Sequence, residues 1–178
     1  MINLTELKTK TSEEIYFLGL NFLYEGDLES VTYLCDYLTT RKRSKYRSKL
    51  IREMEEIGQT PIDFLSLARE ISHKFQKTTK GTNHVYVILL DGYAKYRYGL
   101  YVGQTSRKID IRFAQHLDGG DLSAKCHRKM KILLPSLFEH LNPLSTKEAL
   151  QIETDLANAF RAVGIRTEGG EKKKRKQD

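Results

Sequence analysis

Arg112 and His116 stand four residues apart in the run Ile109 to Leu117 (IDIRFAQHL), so on a helix they share one face. A guanidinium is a planar fork that grips two phosphate oxygens at once. An imidazole titrates near neutrality and can move a proton or meet a phosphate. Ahead of this pair, Tyr86 and Tyr101 fall in two short apolar runs, Val85 to Leu90 and Leu100 to Val102. A phenol titrates near ~10, so a tyrosine acts as a base only where a neighbouring cation or hydrogen-bond donor favours phenolate. Each residue also has a plain structural reading. Tyr is a good strand former, and a lone helix Arg or His usually serves surface or core.

The elements that would position these side chains follow from the same stretch. His84 to Leu90 and Gly99 to Gly103 are rich in β-branched, aromatic and Leu residues and are separated by Asp91-Gly92-Tyr93. That pattern predicts two antiparallel strands joined by a loop. Gln104-Thr105-Ser106 is a helix entry, and Ile109, Phe113, Ala114 and Leu117 then recur at helical spacing. Asp118-Gly119-Gly120-Asp121 ends that helix. Ile132-Leu133-Leu134 is a candidate third strand stopped by Pro135, and Leu137 to Leu141 reads equally as strand or helix. Ser145 to Glu148 (STKE) has the spacing of a capping box, opening a helix to about Val163. Its apolar face is Ala149, Ile152, Leu156, Ala159 and Val163, with Glu153 at the edge of that face.

Residues 1–83 read as helical. Thr11 to Glu14 starts one helix with Ile15, Leu18, Phe22 and Leu23 on its apolar face. Asp27 caps a second, whose face is Leu28, Val31, Leu34, Cys35 and Leu38. The segment Arg41 to Arg52 holds seven Lys or Arg in twelve positions and no acid, and continues as a helix through Met54 and Ile57. Thr60 and Pro61 open another helix, bearing Phe64, Leu65, Leu67, Ala68, Ile71 and Phe75. Lys77 to Asn83 is polar and reads as a linker. Lys172 to Lys176 forms a basic tail.

The order strand, strand, helix, with Val85-Tyr86, Tyr101-Val102-Gly103 and the Arg112/His116 pair, resembles the GIY-YIG nucleases. Val85-Tyr86 stands at the Ile-Tyr of the first motif, Tyr101-Val102-Gly103 matches the second, and Glu153 fits the family's metal-binding Glu on a later helix. The resemblance covers about half the chain. It departs in two places: His84 occupies the first Gly position, and the Asn expected downstream of the Glu has only Asn158 or the Arg166/Glu168 pair to replace it. What the resemblance implies is an α+β fold, a small three-stranded antiparallel sheet flanked by helices and preceded by a helical N-terminal region. It also implies a single-metal phosphodiester hydrolysis. Glu153 would be the ligand to Mg²⁺, with Mn²⁺ as a substitute, and Arg112 would face the scissile phosphate. Tyr86 would orient or deprotonate the water, Tyr101 would bond phosphate or nucleophile, and His116 would relay the proton or bind phosphate.

Composition sets the bounds. A chain of 178 residues with 39% apolar and 30% charged residues can bury the core of one sizeable domain, or of one with a smaller companion. The boundaries expected are 1–83 for a basic helical DNA-contacting region and linker, 84–170 for the nuclease-like part and 171–178 for the tail. The net charge of +7 favours an anionic partner, nucleic acid first. Candidate phosphate contacts are Arg41, Lys42, Arg43, Lys45, Arg47 and Lys49 in the first basic segment, and Lys125, Arg128 and Lys129 in the second. Tyr46 and the run Tyr93 to Tyr98 add rings that could stack on bases. Met1 to Lys10 is polar, unlike a signal peptide, and no apolar run reaches the ~20 residues of a spanning helix. A soluble cytoplasmic protein is expected, with DNA as partner, no membrane and no small-molecule cofactor, and a homodimer as one route to symmetric cutting. Cys35 and Cys126 lack a Cys-x-x-Cys pattern and read as reduced thiols. The expected activity is a Mg²⁺-dependent DNA endonuclease, restriction- or defence-like. The alternatives are a structure-selective repair or recombination nuclease and a non-cleaving nucleic-acid-binding protein on the same fold.

Overall fold

The computed structural model describes residues 4–41, 45–59, 62, 64–92, 98–120 and 123–170. The class is α+β: seven α-helices and one four-stranded sheet among these residues. Five helices come first, α1 (Leu4–Thr9), α2 (Ser12–Tyr24), α3 (Leu28–Thr40), α4 (Lys45–Glu56) and α5 (Leu65–Ser72). Then follow β1 (His84–Asp91), β2 (Tyr98–Thr105), α6 (Ile109–Leu117), β3 (Met130–Leu133), α7 (Thr146–Ala162) and β4 (Thr167–Gly169). Leu137 to Leu141, ambiguous in sequence, lies in two 3₁₀ turns, Pro135–Leu137 and Glu139–Leu141.

The sheet corrects the three-stranded antiparallel expectation. Its order is β3-β1-β2-β4, and β4 runs parallel to β2 with Tyr101 opposite Glu168. A three-residue strand containing Gly carries almost no sequence signal of its own, so β4 is defined by its neighbour rather than by its composition. β1 is the central strand, and its six inner residues, Val85 to Leu90, are all buried. Burial on both faces explains why that run is continuously apolar instead of alternating.

The starts of α2, α3 and α7 follow the sequence; that of α6 does not, since Gln104 and Thr105 belong to β2 and the N-cap is Lys108, with no side-chain cap. Thr11 and Glu14 form a reciprocal capping box on α2, and Asp27 accepts from Ser30 N–H at the start of α3. Ser145 caps α7 by accepting from Glu148 N–H, but the Glu148 side chain turns away. Its carboxylate accepts from the N–H and hydroxyl groups of Thr78 and Thr79 instead. These bonds hold its carboxyl below the usual range. The stretch expected as a linker is thus clasped onto the head of α7, and Asn83 exchanges backbone bonds with Leu144.

One hydrophobic core contains residues from the N-terminal helices and from the sheet alike. α3 is buried from Val31 to Leu38, because it lies between the other helices and the β3 side of the sheet. Asp36 of α3 is buried there. Its carboxylate accepts from the Ser136 N–H (2.9 Å) and hydroxyl, with Arg69 of α5 at 3.4 Å. Burial pushes the Asp36 carboxyl up, while Ser136 and Arg69 pull it down. Cys35 is buried beside it. Lys42, Arg43, Thr60, Pro61, Asp121, the run Tyr93 to Arg97 and the tail from Lys172 lie outside the described residues.

Candidate active site

The site begins with register. Tyr86 pairs with Gly103 and Ile88 with Tyr101, so the two tyrosines are diagonal neighbours on one face of the β1–β2 hairpin. Their ring centroids lie 6.1 Å apart. Gly103 makes this possible: a Cβ there would fall 2.6 Å from the Tyr86 ring and hydroxyl and 2.7 Å from the Tyr101 ring. Asn142 anchors the entry to β1 by bonding both the N–H (2.9 Å) and the C=O (2.8 Å) of Val85.

α6 covers that face. Phe113 and His116 are its buried residues, one turn apart, while Arg112 is half-buried. His116 is fully buried, with Nε2 2.7 Å from the Tyr86 hydroxyl. Its Nδ1 accepts the backbone N–H of Ala124 at 3.1 Å. A backbone amide can only donate, so Nδ1 carries no proton and the neutral ring holds its proton on Nε2. His116 therefore donates to Tyr86. Burial, with Arg112 and His127 adding positive charge, pushes the imidazole pKa down from 6.5 to about 4. It is a fixed donor at neutral pH, without a path to a phosphate.

Tyr86 is likewise buried, and burial pushes its phenol well above the ordinary value, with Tyr101 adding to the rise. Arg112 opposes this by charge and by a hydrogen bond. The Tyr101 phenol is raised by burial first and by the Glu153 carboxylate second. Both tyrosines are phenols at rest.

Tyr101 opens onto a groove of about 570 Å³, whose walls come from three segments. Glu153 projects from α7, Lys125, Cys126 and Lys129 from the loop before β3, and Arg166 and Glu168 from β4 and its approach. Arg166 and Glu168 pair at 3.1 Å. β4 is pressed against α7 at Gly170, where φ is +65° and a Cβ would meet the Ala157 Cβ at 2.5 Å and the Glu153 carbonyl at 2.9 Å. Glycine tolerates both the positive φ and the approach. Of the two replacements considered for the family's Asn, Glu168 lines the groove, whereas Asn158 is exposed and bonds Arg161 at 3.0 Å.

Of the five candidate catalytic residues, Tyr101 and Glu153 line this groove, while Tyr86, His116 and Arg112 form a connected group behind Tyr101, and the basic candidates fall into different roles. Lys125 and Lys129 line the groove, and Arg128 is exposed between them. Arg41 is a staple: its guanidinium donates to the carbonyls of Leu7 (2.9 Å) and Lys10 (3.3 Å) and to the Tyr37 hydroxyl (2.9 Å). Arg47 points into the helical core, with its Nε buried. Lys45 and Lys49 are exposed and lie 5.4 Å from the Tyr46 ring centroid. The sequence reading lacks Gly103 as a spacer, and it names Glu168 only within the pair that replaces the family's Asn. A Gly inside a strand was the available signal for the first.

A hard divalent cation fits this donor set. Mg²⁺ takes one or two carboxylates and keeps several waters, and Glu153 and Glu168 share one solvent-open groove. Among the described residues no group of three or more His, Cys, Asp or Glu side chains is arranged to hold a metal. A closed zinc-type cage therefore does not describe the site. No described helix is long and apolar enough to cross a membrane. Comparison with protein-family models, curated proteins and solved structures gives no match to this chain.

Proposed function

We propose that the protein is a Mg²⁺-dependent DNA endonuclease of the GIY-YIG kind, restriction- or defence-like. The observation that carries this reading is a contact chain leading inward from one groove with a basic rim: Tyr101 and Glu153 line it, and Tyr86, Arg112 and His116 stand behind Tyr101. Those residues come from four elements, β1, β2, α6 and α7, and their side chains match the demands of phosphodiester hydrolysis. The net charge of +7 suits a polyanionic substrate.

In this reading Lys125 and Lys129 hold phosphates of the DNA strand along the groove. Arg112 binds the scissile phosphate and stabilises the charge that builds on its oxygens as water attacks phosphorus and the P–O bond to the leaving strand breaks. Tyr86 and Tyr101 position the attacking water; Tyr86, a phenol at rest, takes the water's proton only once its own has passed out to bulk solvent. His116 keeps its Nε2–H on the Tyr86 oxygen, favouring the phenolate as proton transfer begins. Glu153, with Glu168 across the groove, would hold the Mg²⁺, which when bound supplies Lewis-acid stabilisation of the phosphate charge.

The test incubates wild type and Glu153→Ala with supercoiled plasmid and with single-stranded DNA, with and without Mg²⁺. Discrete fragments from wild type alone, only with Mg²⁺, are expected, with DNA binding retained in the variant. Nicking or a diffuse ladder would favour a structure-selective nuclease. Binding without cleavage by wild type, in Mn²⁺ as in Mg²⁺ and across pH, would refute the enzyme and leave a nucleic-acid-binding protein.

A further inference from the structure

Arg47 lies on the inner face of α4 with Leu50, Ile51 and Met54, one and two turns further on. Its Nε is buried without a hydrogen-bond partner among the described residues. A buried donor of this kind is costly unless an acceptor reaches it. The guanidinium borders a cavity of about 140 Å³ whose polar wall includes Thr32, Asp36, Ser66 and Arg69. By liquid volume that is room for roughly four or five waters, enough for a four-oxygen phosphate group. Arg47 and Arg69 both line the cavity beside one carboxylate, Asp36. Asp36 pairs with Arg69 at 3.4 Å and accepts both the N–H and the hydroxyl of Ser136, while the Arg69 Nε–H donates to the Ser136 hydroxyl at 3.2 Å.

This cavity adjoins a wider cleft of about 700 Å³, and the two share Ser66 and Arg69 as walls. Sites that enclose small organic ligands run to roughly 300–1,000 Å³. The outer cleft is different in charge. Glu70 and Glu139 line it, which opposes a second anionic group and offers acceptors to hydrogen-bond donors. His73 and His140 stack there with ring centroids 4.3 Å apart and planes 10° from parallel. His140 donates its Nε2–H to the Ser72 carbonyl at 3.1 Å, so its Nδ1 is an acceptor.

We propose that this cleft binds a phosphate monoester. The phosphate sits in the inner cavity between Arg47 and Arg69, and a planar body rich in hydrogen-bond donors, such as a nucleobase, lies in the outer cleft beside His73 and His140. Paired guanidiniums recognise phosphate by its oxygen geometry. The acidic outer wall selects a ligand charged at one end only. None of the lining residues belongs to the groove at Glu153, so the site stands whether or not that groove cuts DNA. The monoester can be a free mononucleotide or the 5′-phosphate end of a nucleic-acid strand.

Isothermal titration of the full chain decides this. The probes are inorganic phosphate, deoxyadenosine 5′-monophosphate, unphosphorylated deoxyadenosine, and one oligonucleotide with and without a 5′-phosphate. Wild type is expected to bind the monophosphate in competition with inorganic phosphate, and the nucleoside about tenfold more weakly or worse. Arg47→Met is expected to weaken the monophosphate by about tenfold or more, and Ser66→Ala by a smaller factor. If the same loss extends to the 5′-phosphorylated oligonucleotide, the strand end is the source; if it is confined to the monophosphate, the free ligand is. No binding by wild type at about 10 mM probe overturns the proposal, as does an affinity unchanged in Arg47→Met. If Arg47→Met does not fold, Arg47→Lys and Ser66→Ala replace it, and unchanged affinity in both is the refuting result.

Discussion

Acidification should cost this protein stability through His116, and the amount can be worked out. The imidazole is fully buried, accepts from Ala124 N–H and donates to Tyr86. It faces Tyr86 on β1, Tyr101 on β2, Arg112 on its own helix and His127 in the following turn, none of which is an acid. Protonation would place a second N–H against the Ala124 N–H, in a site already shaped by Arg112. The folded pKa of about 4 lies below the ordinary 6.5, so between those values the unfolded chain binds a proton that the folded protein refuses. Stability from this group is thus complete above pH 6.5 and is lost as pH falls towards 4. At 1.36 kcal/mol per unit, the loss between pH 7 and pH 4.5 is about 2 kcal/mol. His116→Gln keeps a donor and an acceptor but cannot titrate. Urea unfolding of both proteins across that range is expected to show curves that converge by about 2 kcal/mol on acidification, since other acidic groups cancel in the difference. Parallel curves, or a His116 ring that titrates near 6.5 by NMR, would refute the buried-donor assignment.

Gly103→Ala would drive a methyl into both tyrosine rings; a loss of about 1–3 kcal/mol in unfolding free energy and of most cleavage activity is expected, measured by urea melts and plasmid assay. Glu168→Gln removes charge from the groove without changing its shape. It should raise the Mg²⁺ concentration for half-maximal cutting while leaving the melting temperature within about 2 °C of wild type. Asp36→Ala strands the Arg69 guanidinium and the Ser136 N–H inside the core, with an expected cost of about 3–5 kcal/mol by chemical denaturation. Lys125→Ala with Lys129→Ala should weaken DNA binding uniformly across sequences. The slope of log affinity against log salt should flatten by about 1 for each phosphate that is no longer neutralised.

What was legible in the sequence was local. Thr11, Asp27 and Ser145 announce helix starts because a cap is settled within three residues. The β1–β2 hairpin and α6 are legible because their periodicities differ sharply, and Arg112 and His116 share a helix at the expected spacing. β4 was not legible, because its three residues acquire strand geometry only by pairing with β2. α1 has six residues, too few for a periodic pattern, and depends on burying Leu4 and Leu7. Glu148 had the right spacing for a capping box and was drawn off by Thr78 and Thr79, 70 and 69 residues away in sequence.

The basic segment shows where composition misleads and what would have corrected it. A window count treats every Lys and Arg in Arg41 to Arg52 as an available charge. On α4, Lys45, Ser48, Lys49 and Arg52 are exposed and recur at i, i+3, i+4 and i+7. Arg47, Leu50, Ile51 and Met54 repeat the same spacing on the opposite side, where Leu50 and Met54 are buried. Arg47 therefore belongs to the apolar stripe by periodicity alone. Arg41 stands at the C-terminal cap of α3, where a basic side chain meets unpaired carbonyls, and it takes those of Leu7 and Lys10, at the end of α1 and just beyond it. Charge counted by helix face leaves Lys45, Lys49 and Arg52 as the outward cations of α4. An electrostatic role for that helix in DNA contact must rest on those three, while Arg47 is left to bind something small enough to enter the core.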